Sequence, residues 1–146
     1  MSCRIAGVPD RKRVSVDTVA VRVAFDSLVA RIARIDAAAT LQSYDTTAGF
    51  AHVIGGELKR GRPAFDAWLT GMFPMLDSID QFVIDSVQYI PVSADAVLML
   101  AAYHEAVDSA GVRPAERGVW SNLFVRRPGG WKVVYGNSTH MALPAR

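Results

Sequence analysis

Apolar residues first recur at helical spacing. Val21, Phe25, Leu28, Ile32 and Ile35 are separated by 4, 3, 4 and 3 residues, which predicts one buried stripe on a helix from Ser15 to Ile35. Ser15 or Asp17 can cap its start, and Asp36 can cap a second, short helix ending near Ser43. Asp45-Thr46-Thr47 is turn chemistry. Phe50 to Ile54 reads as a strand, Gly55-Gly56 as a tight turn and Glu57 to Lys59 as a short return strand. Pro63, expected at the first helical position, opens a third helix with Phe65, Trp68, Leu69, Met72 and Phe73 on its apolar face, and Pro74 ends it. From Ile79 onward the period changes to extended. Phe82 to Ile90, Ala96 to Ala106, Gly118 to Arg126 and Trp131 to Thr139 read as strands, joined at Ala94-Asp95, at a loop over Asp108 to Pro114 and at the hairpin turn Pro128-Gly129-Gly130.

Helices come first and strands later, with short turns between the strands. That order predicts an α+β domain with an antiparallel meander rather than alternating βαβ units. The domain is expected over residues 15–140, between an N-terminal tail of residues 1–14 and a C-terminal tail of residues 141–146. The last three strands carry apolar residues on both faces, whereas a sheet with one wet face alternates cleanly. One face is therefore expected to hold the helices. The other is expected to meet a partner chain or to enclose a cavity, and a homodimer through the sheet face is the structural expectation.

Composition narrows the function classes. Among 146 residues, 51% are hydrophobic and 21% charged, a folding composition of one-domain length. A net charge of +2 is too small to imply nucleic acid or an anionic membrane as partner. The longest unbroken apolar run, Ala96 to Tyr103, is far shorter than the roughly 18 residues a membrane helix needs. The single cysteine, Cys3, has no internal disulfide partner, and Met1 to Pro9, followed by Arg11-Lys12-Arg13, lacks a signal-peptide core. A reduced, cytoplasmic protein is the simplest expectation. There is no glycine-rich nucleotide loop, no GxSxG elbow and no paired metal-ligand spacing, so no cofactor is expected. His52, His104 and His140 come from three different segments and are not read as a metal site.

The order of elements resembles the NTF2-like superfamily, in particular its SnoaL-like or DUF4440-type (SgcJ/EcaC-like) members. The resemblance spans Val16 to His140. It rests on the long first helix, Leu41-Gln42-Ser43-Tyr44-Asp45, Phe50-Ala51-His52-Val53-Ile54-Gly55-Gly56, Lys59-Arg60-Gly61-Arg62-Pro63-Ala64, Trp131-Lys132-Val133-Val134 and the closing Asn137-Ser138-Thr139-His140. It implies three helices covering a strongly curved antiparallel sheet and leaving a conical pocket. Members of the superfamily include isomerases, cyclases and dehydratases as well as non-catalytic binding and dimerising modules, so fold alone does not choose among them.

Aligned with the similar ketosteroid isomerase, His52 falls where that enzyme has its aspartate base, and Asn122 where it has a protonated aspartic acid donating to the developing oxyanion. Imidazole can accept a proton from carbon alpha to a carbonyl, and a carboxamide can donate without a shifted pKa. The enzyme's second donor, a tyrosine, is replaced by Leu28, which removes half of that oxyanion hole. Tyr44, Tyr103 or Tyr135 could supply a hydroxyl instead. The same alignment assigns Val133, Tyr135, Asn137 and Thr139 to the pocket face. Alternation then adds Trp120, Asn122 and Phe124, and from the next strand Leu98, Leu100, Ala102 and His104. Trp68 and Met72 would close the pocket from the third helix.

These residues suit a small, largely apolar, carbonyl-containing ligand. His52 and Asn122 would be catalytic in a cofactor-free isomerase, cyclase or lyase. Tyr44, Trp68, Met72, Leu100, His104, Trp120, Phe124, Tyr135, Asn137 and Thr139 would bind the ligand. The alternatives are a non-catalytic ligand-binding module and a dimerisation module whose pocket is filled by its own side chains.

Overall fold

The structure, a computed structural model, describes residues 18–108, 111 and 115–143. Ser15, Asp17, Cys3 and the basic run Arg11-Lys12-Arg13 lie outside the described residues, as does part of the loop after Asp108. Helix α1 spans Thr18–Ala33 and buries Val21, Phe25 and Leu28 completely or nearly so. The stripe outlasts the helix. Ile35 takes a left-handed φ of 55°, an uncommon conformation for a β-branched residue, and its N–H reaches back to Ile32 O at 2.8 Å. Asp36 caps α2 (Ala37–Leu41) as expected, accepting from the Ala39 N–H at 2.9 Å. Strands β1 (Ala51–Ile54) and β2 (Glu57–Arg60) turn on Gly55 and Gly56, both at positive φ, the requirement of the tight hairpin predicted there. Helix α3 spans Gly61–Met72, so Pro63 stands two residues inside rather than first. It is still in the first turn, where no intrahelical partner awaits its missing N–H. A short 3-10 turn, Phe73–Met75, contains Pro74.

Four long strands follow: β3 (Ser78–Ser93), β4 (Ala96–Asp108), β5 (Ala115–Arg127) and β6 (Gly130–Ser138). They form the expected antiparallel meander. The sheet order is β2-β1-β6-β5-β4-β3. The sheet is mixed, because β1 lies parallel to β6, with His52 opposite Gly136. Consecutive-strand reasoning cannot see that pairing, since two helical segments and four strands separate the two. Residues 141–142, read as tail, form β7 (Met141–Ala142), which pairs with Glu116 and Arg117 of β5.

The helices cover one face of this sheet. Phe65 and Leu69 of α3 join the α1 stripe against Val97, Met99, Ala101 and Tyr103 of β4, Trp120 and Phe124 of β5, and Trp131 and Val133 of β6. Phe25 meets Trp120 edge to face at 5.6 Å. Each of the larger aliphatic and phenylalanine side chains contributes roughly 1.5–3 kcal/mol by leaving water. Register shifts in β3 and between Leu123 and Phe124 of β5 bend the sheet around the helices. No described helix is long and apolar enough to cross a membrane.

Candidate functional site

Between α3 and the curved sheet lies a cavity of about 480 Å³, within the range of small-molecule sites. Its wall is mostly apolar and aromatic, with Phe65, Trp68 and Met72 from the helix side and Phe82, Tyr103 and Trp120 from the sheet. Apart from the indole N–H groups, the polar side chains on the wall are few: Tyr44, His52, Tyr103, Glu105, Glu116, Ser138 and His140. No lysine or arginine is among the described residues that line it.

His52 reaches this wall because β1 carries it in phase with the inner face. It is only 3% exposed, lies stacked on Phe65 with ring centroids 4.9 Å apart, and meets Tyr44 edge-on at 5.8 Å. Neither ring nitrogen has a hydrogen-bond partner. Burial penalises the imidazolium and pushes the pKa down to about 4; the neighbouring Val53 backbone offsets this slightly but lies outside hydrogen-bonding geometry. Asn122 lies next to His52 across Gly136, which is paired with both residues in the sheet. A Cβ at Gly136 would collide with His52 Nε2 and would stand 2.7 Å from Asn122 Oδ1, so the missing side chain is what lets imidazole and carboxamide converge. Asn122 is completely buried, its amide unpartnered, and it lies behind the cavity wall rather than on it.

Of the other residues expected at the site, Tyr44, Trp68, Met72 and Trp120 line the cavity. Phe124 is fully buried core beneath it. Leu100, His104, Tyr135, Asn137 and Thr139 do not line it. Two physical causes account for this. In β4 the odd-numbered residues Val97 to Tyr103 are buried, so Leu98, Leu100, Ala102 and His104 take the outer face, where His104 Nδ1 meets Asp85 Oδ1 at 2.8 Å. In β6 a bulge inserts Val134: Phe124 pairs with Val133, but Leu123 pairs with Tyr135. The bulge reverses the alternation, sending Tyr135 and Asn137 outward and Gly136 and Ser138 inward. Thr139 instead binds Val119, its Oγ1 accepting from the N–H at 3.0 Å and donating to the carbonyl at 3.2 Å.

Of the hydroxyls that could replace the absent donor at Leu28, Tyr44 and Tyr103 reach the cavity and Tyr135 does not. Burial raises the pKa of both phenols, so both remain protonated donors. Tyr103 already donates to Thr139 O at 3.0 Å.

A second polar group escaped the sequence reading. Glu105 and Glu116 are directly opposed on β4 and β5, and His140 Nδ1 lies 3.4 Å from Glu105 Oε1, 3.3 Å from Glu116 Oε2 and 3.1 Å from the Tyr103 hydroxyl. A hydrogen bond from His140 to Glu105, with Coulombic support from both carboxylates, raises the His140 pKa against the desolvation that lowers it. The sequence signal was weak: two glutamates in different strands and a histidine beyond the last predicted one.

No family model and no curated protein matches this sequence. Solved structures do. A candidate dehydratase of the NTF2-like family from Streptomyces avermitilis superposes with a TM-score of 0.75 at 20% identity, covering 88% of this chain and 97% of that one. A ketosteroid isomerase-like protein from Erwinia carotovora atroseptica gives 0.72 at 15% identity, covering 86% and 96%. A candidate calcium/calmodulin-dependent protein kinase type II association domain from Thiobacillus denitrificans gives 0.70 at 16% identity, covering 88% and 97%. At these identities the likeness is one of fold, and the fold of this chain is that of NTF2-like proteins.

Proposed function

We propose that the protein is a SnoaL-like pocket protein that binds a small, largely apolar, carbonyl-containing molecule and uses His52 as a general base on it, as a cofactor-free isomerase, cyclase or lyase. The observation that carries this reading is a buried imidazole with both nitrogens unpartnered on the wall of a 480 Å³ apolar cavity. Buried polar groups normally find partners, so one left open on a cavity wall is a place for a ligand. The cavity also exceeds the roughly 300 Å³ below which a small-molecule role weakens. The neutral imidazole would accept a proton alpha to the carbonyl, and the Tyr44 phenol beside it would donate to the developing oxyanion. Asn122, behind the wall, is a positioning residue for the imidazole across Gly136 rather than a donor to the ligand. The low basicity is no bar in itself: the ketosteroid isomerase aspartate works with a pKa of about 4.6.

Thermal-shift screening of apolar carbonyl compounds tests the binding half. A true ligand raises the melting temperature with concentration. Turnover of a hit by wild type and by His52→Ala tests the catalytic half. Unchanged turnover removes His52 as the base, whereas a hit that neither protein transforms leaves a binding module. The further alternative, a dimerisation module, draws support from the likeness in fold to a candidate association domain. For the quaternary state, the outer sheet face, where Ile90, Leu98, Leu123 and Tyr135 stand in register across four strands, is the surface we assign to a homodimer.

A further inference from the structure

We infer that Glu105, Glu116 and His140 form a binding site for one divalent transition-metal ion on the wall of the cavity. The donor atoms of the three residues lie within 4.8 Å of one another. The distances from His140 Nδ1 to the two carboxylates, 3.3 and 3.4 Å, sit at the long end of the hydrogen-bond range. They match the spacing of neighbouring ligands around a metal: donors about 2.1 Å from a common centre are separated by about 3.0 Å in octahedral and about 3.4 Å in tetrahedral geometry.

Hydrogen-bond arithmetic points the same way. The Tyr103 hydroxyl spends its proton on Thr139 O. Three oxygens are then left as acceptors around the single Nδ1–H of His140, too many for one proton to serve well. Electrostatics adds to this. Like charges directly opposed across a strand pair are destabilising, and Glu105 and Glu116 are so opposed. Among the described residues, His140 is the cationic partner within ion-pair distance of either. A divalent ion accepts all three donors at once and neutralises both carboxylates. The mixed imidazole and carboxylate set suits zinc, manganese or iron(II) better than calcium or magnesium.

The location favours a working site over a surface cluster. All three residues line the cavity; the Glu105 side chain is 12% exposed, and those of Glu116 and His140 are 32% and 33% exposed at its rim. The same wall carries Trp120, 5% exposed, with an indole N–H that has no partner. A ligand oxygen held by the ion would enter a cavity that offers this unused donor. The metal site stands on its own geometry: it does not require His52 to be a base, and a bound ion would replace the cofactor-free part of the reading above with metal-assisted chemistry in the same cavity.

The test is calorimetric titration of the chelator-treated, untagged chain with Zn²⁺, paired with visible spectroscopy after Co²⁺ addition. The expected result is one Zn²⁺ per chain, with His140→Ala and Glu105→Gln each weakening it by roughly 10–100-fold or more. His104→Ala, which removes a competing donor on the outer sheet face, and Cys3→Ala leave the affinity unchanged. Co²⁺ on the wild type gives ligand-field bands distinct from the aqua ion, which needs no variant to fold. Absence of both Zn²⁺ binding and Co²⁺ bands overturns the site. So does Zn²⁺ binding that survives His140→Ala and Glu105→Gln in folded protein, or that is lost in Cys3→Ala or His104→Ala.

Discussion

An imidazole with a pKa of about 4 is neutral at pH 7, and it also carries a stability cost in acid. The unfolded histidine takes up a proton near pH 6.5, while the folded one resists until about pH 4. The unfolded state therefore binds more protons across that window, and stability falls as pH drops through it. The loss from this one group approaches about 3 kcal/mol at pH 4 relative to pH 7. In His52→Phe, which keeps an aromatic ring against Phe65, this component should vanish. Denaturant unfolding of both proteins at several pH values checks it, and parallel acid limbs would contradict a buried neutral histidine. Gly136 allows an independent test. Gly136→Ala places a methyl group on His52 Nε2 and against Asn122. Overpacking of this kind costs about 1–3 kcal/mol. The imidazole should also be displaced, visible as a shift of its ring-nitrogen NMR signals. A variant with unaltered stability and signals would mean that the two side chains do not meet over Gly136.

At the scale of elements, the loop between α2 and β1 sets where Tyr44 points. Tyr44 bridges to Val133 of β6, and Asp45 fastens the loop to the end of β5, accepting from Arg127 Nη2 at 2.6 Å, Thr47 Oγ1 at 2.9 Å and the Thr46 N–H at 2.9 Å. The Arg127 hydrogen bond foremost holds the Asp45 carboxyl below its ordinary pKa. This stabilisation is present above the unfolded carboxylate pKa and is lost as pH falls through the folded one. Asp45→Ala should cost about 1–3 kcal/mol through its unpaired partners and should loosen Tyr44. Urea unfolding together with Tyr44 proton line shapes measures both, and a neutral substitution would show the anchor to be idle. Elements are also where sequence legibility divides. The α1 stripe, the Asp36 cap and the Gly55-Gly56 hairpin were readable because each is a local pattern with its own chemistry. The facing of β4 was not, since Val97 to Ala102 is apolar at every position and gives alternation no phase. Nor was that of β6, because the bulge at Val134 leaves no mark in residue type. His52 was found by placement within β1. The Glu105–Glu116–His140 group was not, because its members meet only through the register of β4 on β5 and the turn into β7.

At the scale of the whole molecule, the two faces of the sheet divide the work. The inner face buries the core and the cavity. The outer face exposes an apolar row, Ile90, Leu98, Leu123 and Tyr135, with Leu100 in the adjoining register beside Ser121 and Asn137. Ile90 and Tyr135 are 36% and 38% exposed in the single chain, and Val83 and Val119 more so. Contiguous apolar patches mark interaction sites on soluble proteins, and one such face on each copy suits a two-fold dimer. Leu100→Lys places a charge in this face without touching the core. It should shift the chain from dimer to monomer in sedimentation velocity at micromolar concentration, with the circular dichroism spectrum preserved. If the cavity works independently of the interface, the monomeric variant keeps the melting-temperature response to whatever ligand the wild type binds. A wild type that sediments as a monomer at that concentration removes the dimer. A Leu100→Lys protein that remains dimeric moves the interface away from this face. A folded monomer that has lost its ligand response ties the cavity to the partner copy, because the substitution lies on the opposite side of the sheet from every residue lining the cavity.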